Sequence, residues 1–493
     1  MTPDSSPAAR PTRPVSRVVL LVTLLLAISA FQVAAVMITP ALPKIGPKLG
    51  ASASQISLSQ ALFFALGGLS AAALPVSDRF GRKRMLTVVL ALGIVGSVLV
   101  ATSGNLALFD LGRWLQATGV VALPLSFLIL RDQVPAEEYP LYLGWLNALN
   151  SGVSGIDVFI AGRVTDTVGY RGIFWIATGL GAVALVCVLA FVPRSQAISQ
   201  RTDWLGIATL GAGVVAVSTG LAQSGTWGWT DAGTVLLLVA GVALIAAFVV
   251  VERVSAHPMV QVGLLASRRV WGLAVIILFG MAGFMGATNM LMPFWAELPK
   301  AVGGFGLSAT DYSLAVLPGT FLTVCFAPTM GHLARRVGWR PILITATAVA
   351  GAGLVGLALC MDSTVPAFVF ATLVTCVFAG AAMTAATGLG VLFSPPETPA
   401  FLPGIVSVMF SFGSSLGFAI SGSVLARDTV SVPGAPPLPT QDAFTHAFAL
   451  MAAFMVLAAV LTLVVPRIRS QAHAPARTGT GTGTAPDVQT AEA

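Results

Sequence analysis

The chain has 493 residues, 56% hydrophobic and only 9% charged, with a formal net charge of +7 and a mean hydropathy of +0.89. A soluble domain carries about 25% charged residues, so this composition excludes a water-covered globule and places most of the chain in lipid. The positive charges sit in short turns between apolar stretches, which points to membrane topology and not to a nucleic-acid partner.

Residues 1–16 are polar and rich in Pro, Ser and Arg, and predict a disordered tail. The apolar segment 18–40 is too long for a signal-peptide core and reads as the first span. Further spans are expected at 55–76, 85–103, 106–130, 139–163 and 172–193. After a polar gap from Arg194 to Asp203 come two more, 204–224 and 232–251. A second gap holds Glu252, Arg253, His257, Pro258, Arg268 and Arg269, and six spans follow it at 271–295, 311–330, 341–360, 365–392, 402–425 and 443–466. The Gly-Thr repeats after Arg469 again read as disordered. Each span needs about 20 residues of helix, and helices satisfy their own backbone in lipid. The expected architecture is therefore an all-α integral membrane protein of fourteen helices. It comprises a six-helix bundle (17–193), two inserted linker helices (204–251), a second six-helix bundle (271–466) and a tail (467–493).

An even count puts both termini on one side. With that side cytoplasmic, inner segments hold 19 Lys and Arg and outer ones 6, with Arg113 left inside a span; this is the positive-inside bias. The expected location is a cell membrane, multi-pass, and the Ala-, Gly-, Val- and Leu-heavy usage suggests a bacterium. Cys187, Cys325, Cys360 and Cys376 lie in apolar segments without CxxC spacing, so neither a disulfide framework nor zinc is expected. No HExxH, nucleotide loop or His/Cys cluster is present, so neither an enzyme nor a cofactor is expected.

Between the second and third spans stands Asp78-Arg79-Phe80-Gly81-Arg82-Lys83-Arg84, and 257 residues later a weaker copy, Arg335-Arg336-Val337-Gly338-Trp339-Arg340. Glycine permits a tight turn, and cations anchor the inner face and cap helix C-termini. Leu74 to Leu86 resembles the loop motif of the major facilitator superfamily, G-x-L-a-D-r-x-G-r-k-x-x-l, matching at Asp78, Arg79, Gly81, Arg82, Lys83 and Leu86. The second copy keeps Gly331, Leu333 and Ala334 but carries Arg335 at the acidic position. The resemblance implies a gating loop made of Asp78, Arg79, Gly81, Arg82 and Lys83, with Arg336, Gly338 and Arg340 as its counterpart. In the family, the aspartate helps to latch the halves in the outward-facing state.

Arg113-Trp114-Leu115-Gln116-Ala117-Thr118-Gly119 in the fourth span resembles the family's R-x-x-Q-G-x-G, whose arginine is linked to proton coupling. A charge there costs about 2.5–3.5 kcal/mol on insertion scales, so it needs a partner or a water path. Asp110 lies one turn away, and Asp157 lies in the next span. At 1.5 Å per residue, Arg113 and Asp157 both sit roughly 10 Å below the outer surface. Either acid is a candidate partner, and Asp157 is expected to be protonatable, with H+ as the coupling ion.

Two departures bear on function. The fourteen-span drug:proton antiporters often carry an aspartate where Ala34 stands, and a Gly-Pro where Asp157-Val158 stands. Other features resemble that branch: Ala41-Leu42-Pro43, Asp203-Trp204-Leu205-Gly206 and Trp227-Gly228-Trp229. Gly413 and Gly417 of span thirteen form a GxxxG face that reads as helix packing. Carriers of this kind bind substrate near the midplane, where the candidates are Gln32, Gln116, Trp145, Asn147, Asn150, Phe284, Asn289 and Trp295. Scarce intramembrane acids suggest a neutral, zwitterionic or anionic amphiphile. The expected protein is a monomeric proton-coupled efflux transporter of a drug, antibiotic or secondary metabolite. An uptake symporter or uniporter on the same fold, or a non-transporting sensor, are the alternatives.

Overall fold

The computed structural model describes residues 16–74, 76–135, 137–193, 203–255, 267–300, 303–393, 401–430 and 437–463. Both expected tails fall outside this set, apart from Ser16. Helical segments run Arg17–Leu49 (α1), Ala53–Ala72 (α2), Arg82–Thr102 (α3), Leu106–Gln133 (α4), Tyr139–Thr167 (α5), Tyr170–Phe191 (α6) and Trp204–Trp227 (α7). They continue as Ala232–Val254 (α8), Val270–Glu297 (α9), Ala309–Val337 (α10), Trp339–Leu359 (α11), Thr364–Gly390 (α12), Phe401–Leu425 (α13) and Gln441–Thr462 (α14). Thirteen of these contain a stretch long and apolar enough to cross a membrane; α5, a 29-residue helix at the fifth expected span, is the other one. Among the described residues the only sheet is a two-stranded ribbon, Thr429–Val430 against Leu438–Pro439, between α13 and α14.

Local chemistry sets the helix ends. Ser52 opens α2 with a capping box: its Oγ accepts from the Gln55 N–H and its own N–H donates to Gln55 Oε1, satisfying two otherwise orphaned donors. Side chains of Asp203, Asp231, Ser308 and Thr440 cap α7, α8, α10 and α14 in the same sense. Pro40 and Pro43 lack an N–H, and α1 passes there through a 3₁₀ turn, Thr39–Ala41. α9 and α12 each contain a π-helical turn, Gly286–Leu291 and Thr375–Ala382.

Within the first six helices α1 packs on α5 and α6, and α3 on α4 and α6; within the last six α9 packs on α13 and α14, and α11 on α12 and α14. The two groups meet along α2–α13 and α5–α10. The α7–α8 hairpin lies beside that seam, with α7 against both α2 and α13. Ser218 and Ser415 share a hydroxyl hydrogen bond of 2.8 Å, and Ser224 and Ser423 one of 2.7 Å.

Gly413 and Gly417 face α9: a Cβ at either would press on a backbone carbonyl, of Leu278 or of Ala282. Gly417→Leu is expected to destabilise the bundle by about 1–3 kcal/mol, the usual cost of overpacking, read as a lower melting temperature in detergent.

Candidate functional site

The Arg113 side chain, on α4, is wholly buried. Its Nη1 donates to the Ala34 carbonyl at 2.7 Å and to Gln116 Oε1 at 2.8 Å, and its Nη2 donates to Gln60 Oε1 at 2.8 Å. The guanidinium lies 3.9 Å from the centroid of the Phe63 ring. Gln116 passes the chain on, donating from Nε2 to Ser97 Oγ at 2.8 Å. Each partner follows from local structure. The first helix of α1 ends at Val36, so Ala34 lies in its last turn, where carbonyls lose their regular partners. Gln60 and Phe63 are one turn apart on α2, and Gln116 is one turn beyond Arg113. α3 and α4 can approach closely because Gly96 and Gly112 face each other, a Cβ on either falling 2.5–2.6 Å from the other's carbonyl oxygen.

This corrects the expected pairing. Arg113 forms an ion pair with neither Asp110 nor Asp157; three neutral oxygens and an aromatic face hold it. The physical reason is that the side chain runs towards α1 and α2, where amide and carbonyl acceptors already converge. Asp110 lies within electrostatic range of Arg113. Its Oδ1 is buried without a hydrogen-bond partner, and so is Oδ2 of Asp157, a residue 5% exposed on α5. The first half thus contains a held cation and two under-paired carboxylates.

The loop motif has the geometry expected of its glycines and cations. Gly81 has φ +91° and Gly338 φ +85°, so the two copies share a left-handed turn that a side chain would strain. Lys83 Nζ donates to the carbonyls of Leu189 and Val192 at the end of α6 (2.8 and 2.6 Å), and Arg340 Nη2 reaches Leu463 O just past α14 at 3.0 Å. Arg82 donates to Leu128 O at 3.1 Å and pairs with Asp132 at 2.6 Å. Arg79 lies over Phe80, 5.6 Å from its centroid, and Arg336 is exposed. The side chain of Asp78 lies outside the described residues. Gly81→Ala is expected to cost about 1–2 kcal/mol for placing a side chain in left-handed backbone, with a matching loss for Gly338→Ala, both measured by thermal melting.

The midplane candidates divide. Gln116 belongs to the Arg113 network, and Gln32 is half-buried on α1. Asn289, in the π-turn of α9, donates to Thr288 Oγ1 at 2.9 Å and accepts from Thr39 of the other half at 3.4 Å. Trp145 is 54% exposed. Phe284 and Trp295 are corrections: both are core. Phe284 packs on Phe378 (5.1 Å between centroids) and Trp295 on Phe305 (4.2 Å) and Phe448 (6.0 Å), because the last six helices bury these rings among themselves. The side chains of Asn147 and Asn150 lie outside the described residues.

Sequence reasoning missed a second cluster. On the face opposite the termini, Asp166 at the far end of α5 holds Lys44, and accepts from the N–H and Oγ1 of Thr310 on α10 at 2.7 and 2.5 Å. Partial burial alone would raise this carboxyl, but hydrogen bonds from Lys44 and Thr310 outweigh it and hold it at about 2. The depressed value means that the interaction is complete above the ordinary carboxylate range and is lost only as pH falls through about 2. Hydrogen bonds joining the first six helices to the last six include this one, Thr39–Asn289 and Ser57 to the Phe418 carbonyl. All three lie towards the face opposite the termini, so this state is closed there.

A family model for the Major Facilitator Superfamily matches residues 23–301 and 278–488. The chain is 32% identical over 432 residues to the uridine/deoxyuridine transporter of Lactococcus lactis subsp. cremoris, covering 85% of this chain and 89% of that one. It is 27% identical over 475 residues to the puromycin resistance protein pur8 of Streptomyces alboniger, covering 90% of each. It is 28% identical over 379 residues to the multidrug resistance protein Stp of Mycobacterium tuberculosis, covering 75% and 67%. Among solved structures, a POT family transporter superposes with a TM-score of 0.64 at 15% identity, covering 91% of this chain and 96% of that one. The inward open xylose transporter XylE of E. coli superposes with a TM-score of 0.62 at 14% identity, covering 92% and 98%. At these identities the structural likeness is one of fold.

Proposed function

The chain belongs to the Major Facilitator Superfamily, a family of membrane transporters, and from that premise we propose that it is a proton-coupled exporter of a small amphiphilic molecule working by alternating access. The observation that carries this is a fully buried, neutrally held Arg113 in the same half as two carboxylates, Asp110 and Asp157, each with a buried oxygen lacking a partner. A permanent charge held without a counter-ion raises the potential of its surroundings. A carboxylate oxygen buried without a partner can gain or lose a proton as water enters or leaves. Asp157 is the carrier in this reading, and Asp110 tunes Arg113. Proton binding favours one state and substrate the other, so each shifts the population. Both termini lie in the cytoplasm, which makes the closed face of this structure the outer one. Relatives named for drug and antibiotic resistance support export.

Uptake is the second reading, favoured by the 32% identity to a uridine/deoxyuridine transporter. Purified protein in liposomes with an imposed pH gradient separates the two, with radiolabelled uridine and puromycin as parallel probes. Export by antiport requires probe to move against the proton flow; movement with it supports symport. Transport indifferent to the gradient would contradict proton coupling in both.

A further inference from the structure

The α7–α8 hairpin touches both halves, but each half holds it differently. Two buried hydroxyl pairs, Ser218–Ser415 at 2.8 Å and Ser224–Ser423 at 2.7 Å, pin α7 to α13. At 1.5 Å per residue the two pins lie about 9–12 Å apart, so together they fix both the height and the rotation of α7 on α13. Gly225 meets backbone there: a Cβ would stand 2.2 Å from the Ser423 carbonyl oxygen and 2.7 Å from its Cα. Beyond the helix ends, Arg427 lies over the Trp229 ring, 5.5 Å from its centroid. α8 follows α7, because Gly213 and Gly241 face each other and a Cβ on either would fall 2.9–3.0 Å from the other's carbonyl oxygen.

Towards α2 the same helix presents apolar groups. A Cβ at Gly211 would meet the two methyls of Leu69, at 2.5 and 2.8 Å, and Val214 clusters with Ala65 of α2 and Phe412 of α13. The two kinds of contact respond differently to sliding. A buried hydroxyl pulled from its partner leaves a donor or an acceptor unpaired, and a glycine seated against backbone has nothing beside it that can turn aside. The methyls at the end of a leucine exchange one apolar neighbour for another with little loss of dispersion. Directional bonds and backbone contact therefore hold the register on α13, while α2 offers a surface along which a helix can move.

We propose that the hairpin travels with the second half as one eight-helix body, α7–α14, and that α2 slides along α7 during the transport cycle. This rests on the alternating-access reading, and on neither the direction of transport nor the coupling ion.

The experiment is disulfide trapping in the full-length protein with its four native cysteines replaced by serine. It is assayed in liposomes with whichever of uridine and puromycin the wild type transports. Ser224→Cys with Ser423→Cys is expected to cross-link on oxidation and to keep most of its transport. Leu69→Cys with Gly211→Cys, where loss of the leucine makes room for the new Cβ, is expected to cross-link as well. Its transport should fall at least about tenfold, as for a blocked conformational step, and recover on reduction. Ser218→Cys with Ser415→Cys, and Ala65→Cys with Val214→Cys, repeat the two arms if a first pair does not fold. Failure of the α7–α13 pairs to cross-link, transport lost through that cross-link, or transport kept through the α2–α7 cross-link would each overturn the proposal. Transport that survives both cross-links in one molecule would instead contradict alternating access, because the hairpin would then tie the two halves together.

Discussion

Replacing Arg113 with lysine is expected to leave a folded protein whose transport falls at least about tenfold, while Arg113→Leu both abolishes transport and lowers stability. The lysine result follows from shape. The guanidinium serves Ala34, Gln60 and Gln116 from two nitrogens of a planar fork and lies over Phe63. An ammonium on a flexible stem does not reproduce a fork or a stacked plane. The leucine result follows from what is left behind. Each buried acceptor deprived of its donor costs about 1–3 kcal/mol, and Gln60 Oε1, Gln116 Oε1 and the Ala34 carbonyl all lose theirs. A cycle combining Arg113→Lys with Gln60→Ala separates the two effects. Contacting residues in one network typically couple by about 0.5–3 kcal/mol, so strictly additive melting data would contradict the network. The measurements are initial transport rates in proteoliposomes and melting temperatures in detergent.

Asp166→Asn is expected to open the face opposite the termini. The asparagine keeps the size but loses the charge that holds Lys44 and strengthens both bonds from Thr310. Hydrogen bonds to charged groups contribute about 1.5–3 kcal/mol, enough to move the balance of states about tenfold. Ser313 reports on this. It is fully buried and lies beside Gly162, one turn before Asp166 on α5. In a background with the four native cysteines replaced by serine, Ser313→Cys should react with a membrane-impermeant maleimide about tenfold faster when Asp166 is asparagine. The contact of Asp166 with Lys44 and Thr310 itself should persist from pH 8 to 5, since the Asp166 carboxyl titrates at about 2. Equal labelling of both proteins would show that the latch does not set the balance.

How much of this was legible in the sequence depends on the range of the interaction. The spans were legible because lipid imposes one rule on every segment, a run of apolar residues long enough to cross. The two loop motifs were legible because a left-handed glycine and the cations that cap neighbouring helix ends lie within a few residues of one another. Gly81 and Gly338, 257 residues apart, adopt φ values within 6° of each other.

The partners of Arg113 were not legible. Helix rotation decides which face of α2 meets α4, and charge counting favoured the acids over a neutral amide. One signal was available: Gln60 is the amide lying deepest in an otherwise small and apolar second span. The Lys44–Asp166–Thr310 cluster joins residues up to 266 positions apart in three helices, and no local pattern announces it. The π-turns of α9 and α12 leave the hydrophobic pattern intact, so periodicity passes over them. Phe284 and Trp295 were misplaced for a related reason: an aromatic residue in a span reads alike whether it lines a cavity or fills a core.

The most direct test of the central claim is proton release on substrate addition. It is followed with a pH-sensitive dye in weakly buffered detergent solution, using whichever of the two transported probes the liposome assay identifies. Wild type is expected to release protons, Asp157→Asn to bind the probe without release, and Asp110→Asn to release them with a shifted pH dependence. Undiminished release from Asp157→Asn would contradict the assignment of the carrier, and binding without release by the wild type would contradict proton antiport itself.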